Sequence, residues 1–135
     1  MDTANKTINQ LEGIQLPEPS KNSSGLIQKI YWSRDKPISE LDAEDLRILI
    51  SQRQGLDFVL PKALNLLKSN PFTCGDYYDG DLLEVVLNEA SYIRNSNPLH
   101  ELFKVVINEA IKNIARVDLA DKHKNDLLMK LSAFI

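Results

Sequence analysis

An all-α fold is what the sequence predicts: a single compact domain of about five to seven helices with an extended N-terminal arm. Three observations predict it. Apolar residues recur at three- and four-residue intervals along most of the chain beyond Leu26. Acid-rich or proline start signals precede several of those runs. No stretch keeps the strict alternation of a half-buried strand; the short run Lys104 to Ile107 has helical neighbours on both sides.

Residues 1–25 read as the arm, with the helical unit following over 26–135. Pro17, Pro19, Ser20, Ser23, Ser24 and Gly25 interrupt any helix there, while Ile8, Leu11, Ile14 and Leu16 offer anchors along the domain. The first residues of the arm are expected to be mobile. Ser24 is placed to cap a short helix from Leu26 to about Trp32.

Past Pro37, Asp42 and Asp45 have capping-box spacing, with Leu41 and Leu46 at the positions of a hydrophobic staple. The helix they open carries Leu46, Leu49 and Ile50 and is expected to end at Gly55. The next begins at Asp57 or Leu60, with Pro61 in its first turn, where amides lack an intrahelical partner. Leu60, Ala63, Leu64 and Leu67 form its buried stripe, and Asn70-Pro71 stops it.

PFTCGDYYDG, with two glycines and two tyrosines, is too irregular for a strand and reads as a loop. Asp81 and Glu84 repeat the capping-box spacing and open a helix through about Ile93, apolar enough to be central. Asn97 is expected to cap the next, with Pro98 in its first turn and Leu99, Leu102, Phe103, Val106, Ala110, Ile111 and Ile114 on one side. Asp118 and Asp121 mark the start of a last helix, which reaches Phe134 on Leu127, Leu128 and Leu131.

Length and composition bound the rest. A chain of 135 residues is about one domain, and 43% hydrophobic with 26% charged residues is ordinary for a globular protein. A net charge of −3 argues against nucleic-acid binding, which needs a basic patch, and suits a basic protein partner. A single cysteine, Cys74, fits a reducing compartment. No signal-peptide pattern and no apolar run near the ~20 residues of a membrane span is present, so a cytoplasmic protein without a membrane role is expected.

Chemistry is sparse. His100 and His123 are the only histidines, and no HExxH or paired-cysteine spacing supports a metal site. Asp76, Asp79 and Asp81 do not match a calcium loop. Cys74 has no base nearby in sequence, and no phosphate cradle exists. Asp42/Asp45 and Asp81/Glu84 are explained as helix caps. No catalytic residue, metal, cofactor or small-molecule substrate is therefore expected, and a small hydrolase is the weakest of the readings.

What remains is a surface. From Ser69 to Ile93 the chain has no lysine or arginine but carries Asp76, Asp79, Asp81, Glu84 and Glu89. Tyr77 and Tyr78 sit between two of those acids in a glycine-flanked loop, one ring expected in and one out. Tyrosines beside acids suit a surface facing a basic protein. Asp35, Glu40, Asp42, Glu44 and Asp45 form a second acidic cluster.

Residues about 7 to 90 resemble the immunity proteins of bacterial contact-dependent growth inhibition (CDI) systems. The resemblance is carried by Leu11-Glu12-Gly13, Pro37, Leu41, Glu44-Asp45-Leu46-Arg47, Leu49-Ile50, Gln52, Leu56, Pro61 and Ala63-Leu64, then Gly75-Asp76, Tyr78 and Gly80-Asp81-Leu82-Leu83. Asp79, where that pattern has proline, and Thr73-Cys74 depart from it. The resemblance implies a non-enzymatic antitoxin that binds the C-terminal toxin domain of a CDI exoprotein, many such toxins being nucleases. Partner contacts are then expected at Asp76, Tyr77, Tyr78 and Asp79, with Glu84, Glu44 and Asp42 as an acidic rim. The alternative from another class is a helical adaptor or structural subunit that binds a cellular protein and has no toxin partner.

Overall fold

A computed structural model of the protein describes residues 3–134. The mobility expected of the first residues falls partly on Met1 and Asp2, outside that range, as does Ile135 at the end of the expected helical unit. Among the described residues the fold is all-helical: α1 (Ile8–Glu12), α2 (Gly25–Arg34), α3 (Ala43–Ser51), α4 (Leu56–Ser69), α5 (Asp81–Leu87), α6 (Ala90–Arg94), α7 (Asn97–Asn113) and α8 (Asp121–Phe134), with short 3-10 turns at Ile38–Glu40 and Ile114–Arg116. Eight α-helices replace the expected five to seven.

The two extra helices have local causes. Within the stretch expected as an arm, Thr7 and Gln10 form a reciprocal capping box, the Gln10 amide donating to Thr7 Oγ1 at 3.0 Å and the Thr7 amide to Gln10 Oε1 at 2.9 Å. Ile8 is fully buried beneath them, and residues 14–20 carry no regular structure. The segment expected to be one helix through Ile93 turns at Asn88 and Glu89, giving α5 and α6.

Other boundaries moved for physical reasons. Ser24 caps α2, accepting from the Ile27 amide at 3.2 Å. Asp42 and Asp45 form the expected box at the start of α3. That helix ends earlier than expected, at Ser51, because Arg53 takes the left-handed conformation; Gly55, at φ 63°, opens α4 rather than closing α3. Pro61 therefore lies inside α4 rather than in its first turn. The missing bond there is offset by the stripe Leu60, Ala63, Leu64 and Leu67, all fully buried. Asn97 is the first residue of α7 and makes no side-chain cap.

The core is one cluster running from Ile8 to Phe134. Its main seams are α3 on α5, α4 on α7, α3 on α4 and α2 on α3. Phe103 of α7, fully buried, stacks edge-on against Phe134 of α8 at 4.6 Å between ring centroids. Among the described residues no helix is long and apolar enough to cross a membrane. These seams fix α3 and α5 side by side, and the loop entering α5 is anchored on both.

Candidate interaction surface

The loop from Pro71 to Gly80 is shaped by what lies under it. Gly80, at φ 90°, allows the sharp entry into α5 that a side chain would strain. Asp81, the first residue of that helix, does not cap it as the sequence suggested. Its carboxylate turns back and accepts from the amides of Gly75 (2.6 Å) and Tyr77 (3.1 Å), at 3% exposure. The competing partner won because two loop amides converge on a buried anion, a stronger arrangement than one capping bond.

Glu44 of α3 completes the platform. It accepts from the Asp76 amide at 3.0 Å and from Arg47 through two bonds of 2.6 Å. Those Arg47 bonds, first, hold the Glu44 carboxyl below its ordinary range. Arg47 is raised in turn, its Nε also 3.9 Å from Asp81. A side chain at Gly75 would crowd both carboxylates: a Cβ there would stand 2.7 Å from Glu44 Oε1 and 3.0 Å from Asp81 Oδ2, so at least one of them would have to shift. Backbone amides of three successive loop residues are thus held by two carboxylates rooted in different helices.

The tyrosines divide as expected. Tyr77 is 71% exposed, with its ring over the Arg47 guanidinium at 4.5 Å. Tyr78 is half-buried; its hydroxyl donates to Glu84 at 2.6 Å, and its ring meets His123 edge-on at 4.8 Å. Desolvation first, and then Glu84, push the Tyr78 phenol up to about 12. Glu84 also bonds His123 of α8, so this carboxylate ties the loop to the last helix.

Of the residues the sequence singled out, Asp76, Tyr77, Asp79 and Asp42 therefore stand open. Tyr78, Glu44 and Glu84 are turned into the support beneath them. Asp76 lies 3.7 Å from Lys29 Nζ of α2, a contact absent from the sequence reading. Asp42 spends one oxygen on the Asp45 amide at 2.8 Å, and Asp45 itself binds Ser33 and Lys36. Cys74 is exposed, its thiol pushed up by desolvation first and then by the carboxylates of Asp81, Asp79 and Asp76, so thiolate is disfavoured there.

Sequence reasoning named Arg47 only within the family pattern and His123 only in weighing a metal site, and it did not name Lys29; none of the three was assigned to this surface. The Glu44–Arg47 spacing was a legible signal, a pair three apart on a helix face. Lys29 and His123 come from distant segments, and nothing local announces them.

The arrangement suits recognition: a rigid platform, one exposed ring and two open acids. A family model described as CDI immunity proteins matches residues 10–102, more than half of the 135-residue chain. No curated protein and no solved structure matched.

Proposed function

Because the chain belongs to the family of CDI immunity proteins, a family whose role is to neutralise a toxin, we propose that it binds a nuclease toxin domain through the loop that carries Asp76, Tyr77 and Asp79. Tyr77 is the central contact, and the two acids face basic groups that would otherwise hold phosphate. Tyr78, Glu44 and Glu84 act from beneath by holding that loop, with Asp42 at the outer edge. The protein does no bond-making of its own, takes no cofactor, nucleic acid, membrane or small molecule as partner, and works in the cytoplasm, where a nuclease meets its substrate.

One observation carries this function: an aromatic ring 71% exposed on a loop whose amides are fixed from below. A large, stiff ring offers contact area at low entropic cost when a partner covers it, and a preformed loop loses little entropy when that partner arrives. A nuclease cleft must be cationic to hold nucleic acid, so open carboxylates steer it in and fix its register.

Co-purification with the toxin domain encoded immediately upstream tests it. A stable one-to-one complex that abolishes nuclease activity is expected, with no protection from an unrelated acidic helical protein. Failure of the pair to associate at micromolar concentrations, or equal protection by the unrelated protein, would overturn it.

A further inference from the structure

α2 turns three of its large apolar side chains outward. Its last turn buries Ser33 and Arg34, at 2% and 3% exposure, while Leu26, Ile27 and Trp32 are 42%, 52% and 57% exposed. The buried polar groups are matched: Ser33 Oγ donates to Asp45 at 3.2 Å, Arg34 to Asn9 and Gln54 at 3.0 Å, and Arg34 also pairs with Glu12. Hydrogen bonds thus hold the C-terminal half of α2 to its neighbours, and those three apolar side chains are not spent on the core.

Isolated exposed apolar residues are ordinary. Here they cluster: of the seven large hydrophobics exposed among the described residues, three lie on α2 and a fourth is Tyr77. Leu26, Lys29 and Trp32, three apart, form a ridge along one side of the helix. The Lys29 ammonium in its middle is 3.7 Å from Asp76 and 4.0 Å from Glu44, so ridge and loop are one continuous surface. Tyr31 packs edge-on against the Trp32 ring at 5.2 Å and helps to orient it.

We infer that the toxin-contact surface extends from the loop onto this ridge, with Trp32 as its apolar anchor. The occupant is the toxin domain of the function proposed above, on which this inference rests: a basic protein with an apolar pocket of indole size beside the cations that meet Asp76 and Asp79. Area and charge both select it. A fully covered tyrosine contributes only ~150–250 Å², so the three open residues of the loop fall short of the ~800 Å² per partner of a stable interface, and the adjoining ridge supplies more. A second copy of this chain, packed on the same patch about a two-fold axis, would bring two copies of the same acidic loop into one interface, where like charges disfavour association.

Trp32 is the only tryptophan of the chain, so 5-fluorotryptophan gives one ¹⁹F resonance. Titrating the labelled protein with the unlabelled toxin domain encoded upstream should shift that resonance and remove its solvent-isotope sensitivity. Trp32→Ala should weaken binding by about tenfold or more, with the helical circular dichroism unchanged. A resonance that stays at its free position at saturation, with Trp32→Ala within about twofold of the parent, overturns the inference. If Asp76→Lys/Asp79→Lys then still loses affinity, the function stands and only the extension onto α2 fails. If the parent protein does not bind the toxin domain at all, the function fails and the inference with it. A dimer dispersed by Trp32→Ala in the absence of toxin assigns the ridge to a second copy and also overturns the inference.

Discussion

Asp81→Asn separates the platform from the surface it carries. The native carboxylate has two acceptor oxygens, one for the Gly75 amide at 2.6 Å and one for the Tyr77 amide at 3.1 Å. Asparagine keeps the shape but presents one oxygen and one NH₂, so one loop amide faces a donor and loses its partner. A hydrogen bond to a charged group contributes about 1.5–3 kcal/mol. Arg47 also loses a carboxylate, but at 3.9 Å and with Glu44 still bound this adds little. The expected loss of unfolding free energy is therefore about 2–3 kcal/mol, a fall of ~1–2 M in the urea midpoint. Amide exchange at Gly75 and Tyr77 should quicken while that of α4 and α7 is unchanged, and toxin affinity should fall because the loop is no longer preorganised. A loss below ~0.5 kcal/mol, the range of an ordinary surface substitution, with both amides as protected as before, would refute the role given to Asp81.

Two further predictions bear on the same platform. Gly75→Ala places a Cβ 2.7 Å from Glu44 Oε1 and 3.0 Å from Asp81 Oδ2, so a loss of about 1–3 kcal/mol in thermal or urea unfolding is expected; a neutral result means the two carboxylates do not crowd the loop. Tyr78, raised to about 12, lies above its unfolded value near 10, so its contribution to stability is complete below about pH 10 and disappears as pH rises toward 12. Of the four tyrosines, one should ionise near pH 12 in an absorbance titration of the folded protein, and that late phase should vanish in Tyr78→Phe; its absence from the parent protein would contradict the desolvation of the Tyr78 phenol and its bond to Glu84.

Local signals were legible where they met no competitor. Asp42 and Asp45 cap α3 as their spacing implies, because both groups bond amides three residues away. Asp81 and Glu84 have the same spacing and do something else, since loop amides, the Tyr78 hydroxyl and His123 compete for their oxygens. The capping box of Thr7 and Gln10 was equally local, yet the prolines and serines farther along the arm obscured it. Pro61 shows the limit of propensity: buried leucines on both sides of it outweigh one lost backbone bond. The outward ridge of α2 was hidden for a different reason. Periodicity cannot tell that Arg34 will find Asn9, Glu12 and Gln54, three partners from two separate segments, and so take the inside of the helix.

Charge reversal in the loop tests the central claim most directly. Asp76 and Asp79 are open side chains on a supported loop, so Asp76→Lys/Asp79→Lys leaves the packing beneath them in place. Calorimetric titration with the cognate toxin domain should show binding weakened by more than about tenfold, with the deficit growing at low salt and the helical circular dichroism unchanged. Affinity equal to that of the parent protein at every ionic strength would show that the cationic partner does not meet the chain at this loop.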